Sequence, residues 1–189
     1  MMNYYDMWDD MLIPERWHLR NPVDERGEAV NPWQFKECRR IEFDGVLVFP
    51  LARPGGRPLD FTLAGITIPL LHRRVVTLLE RLNLQHEFQL LPARVEGQSE
   101  LFFVLNVLQM IRCIDDSRCR EVVYWLPEDD RPDMVGEYRN VSRMKIDASQ
   151  VGEAQIFRPW GWPGPIIVSE RIKQALEQEG ITGPSFVEV

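Results

Sequence analysis

Between residues 69 and 84 the apolar side chains recur at three- and four-residue steps. Leu71, Val75, Leu78, Leu79 and Leu82 share one helical face, and Arg73, Arg74, Glu80 and Arg81 fall mostly off it. The spacing predicts a helix over about 69–84, with Pro69 in a first turn where its missing N–H costs nothing. A shorter stripe of Ile172, Ala175 and Leu176 predicts a second helix over about 170–179. Ser169 precedes it as an N-cap whose hydroxyl can accept an orphan backbone N–H. Glu170 complements the helix dipole, and Gly180 supplies a left-handed stop.

Elsewhere the pattern shifts to short runs rich in Val, Ile, Phe and Tyr between turn residues. These predict strands over 45–49, 87–91, 120–126, 154–157 and 185–189, and the apolar residues 165–168 lead directly into the Ser169 cap. The nearly continuous apolar run 101–111 suits a buried strand or a buried helix, and its second half is read as helix. Trp125, at the close of a strand, is assigned to the core. Turn chemistry clusters at 52–58, 127–133 and 159–165, each stretch combining Pro with Gly or acidic residues. Strands and helices do not alternate regularly, which disfavours a doubly wound parallel sheet. The expectation is a single α+β domain over 1–189, with mostly antiparallel short strands and two to four helices.

Of the 189 residues 44% are hydrophobic and 27% charged, enough to bury a core. No apolar run approaches the roughly 18 residues of a membrane span. The first ten residues lack the basic start and apolar stretch of a secretory signal, so a cytoplasmic location is expected. Three cysteines, Cys38, Cys113 and Cys119, are an odd count at the wrong spacing for a zinc knuckle or redox pair, and are read as reduced thiols. His18, His72 and His86 share no metal-ligand spacing, and no nucleophile elbow, P-loop or dinucleotide fingerprint is present. No metal or cofactor is expected. Lysines and arginines number 22 against 29 aspartates and glutamates, a net charge of −7. That balance argues against nucleic acid and anionic membrane surfaces and suits a basic protein partner.

Two carboxylate clusters, Asp115-Asp116 and Glu128-Asp129-Asp130, could perform acid–base work if their surroundings split their pKa values. In polar turn segments both members simply ionise, and a turn or capping role is expected. They keep open an alternative reading as a small carboxylate-dependent hydrolase or transferase; a third is an adaptor domain. Six tryptophans are a high number for this length. Trp8, Trp17, Trp33, Trp160 and Trp162 lie among Pro, Asp or Gly rather than in apolar stripes, where they could anchor an interface or fold back over the core. Three segments combine aromatic and charged residues as candidate partner contacts. The first holds Tyr4, Tyr5 and Trp8 with Asp6, Asp9 and Asp10. The second holds Glu128, Asp129, Asp130 and Arg131 between prolines. The third is the Trp160–Trp162 turn.

Two blocks carry a family resemblance. One is Leu101-Phe102-Phe103-Val104-Leu105-Asn106-Val107-Leu108, followed by Ile114-Asp115-Asp116-Ser117. The other runs from Gly164-Pro165-Ile166-Ile167-Val168-Ser169-Glu170-Arg171 through Ala175-Leu176 to Glu179-Gly180-Ile181-Thr182-Gly183 and Phe186. Together, across about 100–189, they resemble the bacterial immunity-protein family numbered eleven, formerly a domain of unknown function, whose members lie beside polymorphic toxins and include a myxobacterial example. The resemblance implies a non-enzymatic protein that neutralises a cognate toxin by tight stoichiometric binding in the producing cell. It brings no catalytic residue with it.

Overall fold

The computed structural model describes residues 2–189. In chain order its strands and helices are β1 (Tyr4–Asp9), β2 (Leu47–Phe49), β3 (Phe61–Ala64), β4 (Ile68–His72), α1 (Arg73–Arg81), β5 (Phe88–Val95), β6 (Leu101–Val107), β7 (Met110–Ile111), β8 (Glu121–Tyr124), β9 (Tyr138–Ser142), β10 (Ile156–Pro159), β11 (Ile167–Ser169), α2 (Glu170–Gln178) and β12 (Pro184–Glu188). They form two five-stranded sheets, ordered β12-β1-β11-β10-β7 and β2-β5-β6-β4-β3, and a two-stranded β8-β9 ribbon. Pairing is antiparallel except at β10–β7 and β2–β5. The architecture is α+β, as the irregular order of periodicities implies.

Three apolar clusters follow from these layers. The two helices pack between the sheets, where Met7, Leu79, Leu105, Val168, Ile172 and Leu176 meet. The outer face of the second sheet is covered by the 13–43 segment through Trp17, Phe35 and Ile41. The outer face of the first sheet meets Cys113, Met144, Ile146 and Val151 through Tyr4, Phe157 and Ile167. Burial pushes the Cys113 thiol up to about 12 and the Cys38 thiol up to about 11, so both stay protonated and inert.

The structure corrects three local expectations. The first helix begins at Arg73, because residues 68–72 form β4, paired with β3 on one side and β6 on the other. A strand buried on both faces reads as a continuous apolar run, and its pairing overrides the helical spacing that reaches back to Leu71. His72 then caps α1, its Nδ1 accepting the Arg74 N–H at 3.3 Å. No part of 101–111 is helix: Leu101–Val107 is β6 and, after a two-residue break, Met110–Ile111 is β7. β6 lies between β4 and β5, with Asn106 fully buried and its side-chain amide donating to the Arg39 carbonyl at 2.8 Å and to Gln89 Oε1 at 3.0 Å. Trp125 is not core but half-buried, with the Arg139 guanidinium 5.1 Å and that of Arg131 5.8 Å from its ring. Trp17 takes the core position among the tryptophans set in turn-rich sequence: it is buried, and its indole N–H donates to Thr62 Oγ1 at 2.8 Å.

The late helix forms where its punctuation places it. Ser169 Oγ accepts the Ile172 N–H at 3.4 Å and donates to Gln155 Oε1 at 2.7 Å. Gly180 takes φ +62°, the left-handed stop. Thr182 donates both its N–H and its hydroxyl to Asp60 Oδ2, each at 2.9 Å, tying the end of the helix to the start of β3. Gly183 sits at φ +110°, where a Cβ would stand 2.0 Å from the Phe61 carbonyl oxygen. The block that carried the resemblance is therefore scaffold at each of these positions.

Candidate partner-binding cleft

β1 is a central strand, not a loop, and its pleat splits the first candidate segment. Successive side chains of a strand point to opposite faces, so Tyr4, Asp6 and Trp8 share one face and Tyr5, Met7 and Asp9 the other. Tyr4 is buried, its ring edge-on to Phe157 with centroids 5.5 Å apart, which makes it a core residue. Tyr5 is half-buried, with Lys173 Nζ 5.2 Å from its ring. Asp9 serves the scaffold, bridging Arg16 at 2.8 Å and accepting the Leu63 N–H at 2.8 Å. Asp10 Oδ1 accepts the Leu12 N–H at 3.0 Å in a local turn.

The Asp6–Trp8 face opens into a cleft of about 720 Å³. Asp6 and Trp8 contribute from β1, Val187 and Glu188 from the edge strand β12, and the 143–145 segment forms a facing wall with Val141. Trp162, Gly164 and Pro165 close the remaining side. Trp8 is 40% exposed and Trp162 half-buried. Two of the three candidate segments thus meet in one concavity, as a largely apolar wall set with a few polar groups, the usual composition of a recognition site.

The Trp162 turn is held from inside. Arg158, 0% exposed, donates through Nη1 to the carbonyls of Pro163 (2.8 Å), Gly164 (2.9 Å) and Pro165 (3.3 Å). Burial lowers its pKa to about 10, so it remains a cation at neutral pH. Trp160, two residues before Trp162, lies beneath the Arg112 guanidinium at 3.4 Å from its ring centroid and does not line the cleft.

Asp6, one of the acids of the first candidate segment, is the one the fold singles out. It is 7% exposed, lines the cleft, and its Oδ1 has no hydrogen-bond partner among the described residues. Burial pushes its carboxyl up to about 7, against smaller downward pulls from the Trp8 side chain, the Ile166 backbone and the Arg158 charge. Its signal in the sequence was an acid alternating with aromatics, Tyr4-x-Asp6-x-Trp8, which becomes visible once the segment is taken as a strand.

The acidic segment stands apart, contributing no residue to the cleft lining. Asp129 is spent on structure, accepting the Leu126 N–H at 2.9 Å and bridging Arg139 at 2.7 Å. Glu128 and Asp130 are exposed, and Arg131 pairs with Asp133 at 2.9 Å. The other carboxylate pair is likewise local. Asp115 Oδ1 accepts the Ser117 N–H at 3.1 Å, and Asp116 accepts the hydroxyls of Tyr124 and, at 2.8 Å, Tyr138, whose rings stack 4.9 Å apart. Among the described residues no group of three or more His, Cys, Asp or Glu is placed to hold a metal ion, and no helix is long and apolar enough to cross a membrane.

The Immunity protein family (Imm11) matches this chain over residues 1–189, its full length, where the sequence blocks above covered the last half. No curated protein matches it.

Proposed function

Because the chain belongs to the Imm11 immunity protein family, we propose that it neutralises a cognate protein toxin by stoichiometric binding, without catalysis, inside the cell that makes both. The whole chain acts as one domain in this role. The family match supports the class of function, and the cleft uniting Trp8 with Trp162 is the observation that carries its placement. Aromatic side chains in a preformed concavity contribute contact area at little entropic cost, which is how hot spots work. The exposed Glu128 and Asp130 and the net charge of −7 suit a basic toxin, drawing it in over distance while the cleft sets the lifetime of the complex.

The test is co-expression with the toxin encoded beside this gene. The wild-type protein should protect the host and elute with the toxin as a complex of fixed stoichiometry. Trp8→Ala with Trp162→Ala should remain folded, and each anchor lost should speed dissociation by roughly 2 kcal/mol or more. Protection at amounts far below one immunity protein per toxin would point to catalysis and overturn the reading. So would a folded wild-type protein that forms no complex.

A further inference from the structure

We propose that the cleft receives an arginine side chain of the toxin, its guanidinium seated on the Asp6 carboxylate between Trp8 and Trp162. This deepens the toxin-binding reading and rests on it. Two observations converge on a cation. Asp6 is buried at the cleft wall with a carboxylate oxygen that no group among the described residues satisfies. A buried carboxylate left in that state is costly, and a charged donor arriving from outside supplies the missing partner. Trp8 and Trp162 line the same cleft as Asp6, and indole rings favour a planar cation, which stacks on aromatic faces as a lysine ammonium does less well.

The cations among the described residues do not fill the place. Lys145 Nζ, on the facing wall, donates to the Glu188 carbonyl at 3.0 Å, and Arg143 is exposed. Neither forms an ion pair with Asp6; among the cations only Arg158, on β10, bears on its ionisation, its Nη1 held by the 163–165 carbonyls and its unpartnered Nε and Nη2 making no bond to Asp6. β12 presents Glu188, a second acid on the cleft lining, while β11 and the 162–165 turn present no charged side chain. The acidic character of the whole chain, −7, favours the approach of a basic group.

The geometry makes binding pH-dependent with a defined sign. With its carboxyl at about 7, Asp6 is largely neutral at pH 6 and largely ionised at pH 8. A guanidinium binds the ionised form, so affinity should be roughly tenfold weaker at pH 6 than at pH 8. Arg158 stays charged across that window and adds no slope.

The experiment uses the full-length protein, its Asp6→Asn variant, and two probes, Nα-acetyl-arginine amide and the neutral isostere Nα-acetyl-citrulline amide. Indole N–H resonances of Trp8 and Trp162 are followed by NMR at pH 6 and pH 8, and an inactivated toxin domain is titrated in parallel. The expected result is at least tenfold preference for the arginine probe at pH 8, lost in Asp6→Asn, with the pH slope present only in the wild type. Equal binding of the two probes, or a wild-type affinity that does not change with pH, overturns the assignment even if Asp6→Asn fails to fold. If the toxin binds wild type and Asp6→Asn alike, the cation seat fails and toxin binding stands. If the arginine probe binds as expected but the toxin does not, the seat survives as a guanidinium site and its toxin occupant is refuted together with the proposed function.

Discussion

Replacing Asp6 with asparagine should stabilise the protein increasingly as pH rises above about 4, and most at neutral or alkaline pH. The substitution keeps the shape of the side chain and removes its charge. The carboxyl titrates at about 7 in the folded chain against an ordinary 3.8. A raised acid favours folding in its neutral form, so its contribution is fully present below about pH 4 and is lost as pH rises through about 7. A displacement of about 3 pH units corresponds to about 4 kcal/mol. The asparagine amide must also be buried, and an unsatisfied polar group costs about 1–3 kcal/mol, so a net gain of about 1–3 kcal/mol is expected at pH 8. For a chain of this size that is a rise in Tm of roughly 2–12 °C. Calorimetry of both proteins at pH 4, 6 and 8 measures it. The gain should be largest at pH 8, where the wild type carries the buried charge, and should vanish or reverse at pH 4. An equal Tm difference at all three pH values, or none at pH 8, refutes the argument that Asp6 is an uncompensated buried acid. A stability gain joined to weaker toxin binding is the trade expected where a strained group is kept for function.

Ser169→Ala removes both the cap on Ile172 and the buried bond to Gln155, and should cost about 1–2 kcal/mol in denaturant unfolding, while Leu176→Ala, buried among the helix contacts, should cost about 2–5 kcal/mol. Neither change should alter toxin affinity in the folded fraction. Glu87 Oε2 accepts the N–H groups of Gln155 at 2.8 Å and Ile156 at 2.7 Å, so Glu87→Ala should strand two buried donors and cost about 2–5 kcal/mol, with early loss of amide-exchange protection at the start of β10. Glu128→Gln with Asp130→Asn should slow association and flatten its salt dependence while leaving dissociation and Tm nearly unchanged, as stopped-flow mixing at two ionic strengths would measure.

Local rules carried much of this protein on their own. The late helix is set by Ser169, Glu170, the Ile172–Leu176 stripe and Gly180, all neighbours in the chain, and the irregular alternation of periods was enough for the α+β class. Within the late block the Ser169 cap and the Gly180 stop are short-range, whereas Thr182 and Gly183 answer to Asp60 and Phe61, distant in sequence. What depended on tertiary structure was whatever the two sheets decide. Residues 68–72, 101–107 and 110–111 carry apolar runs compatible with helix, and they are extended because neighbouring hairpin partners and, farther along the chain, the β4–β6 and β7–β10 pairings hold them in sheets. The binding face shows the same division. Tyr4 to Asp10 reads as one aromatic and acidic patch along the chain, but the pleat of a central strand turns Asp9 away to Arg16, the 113–151 residues cover Tyr4 on the opposite face, and Asp6 and Trp8 on that face are left to a cleft whose other walls come from residues more than 130 positions later. Composition can announce that a chain has tryptophans and acids to spare. Which of them share a concavity, and which carboxylate lacks a partner there, is fixed only when strands distant in sequence are brought side by side.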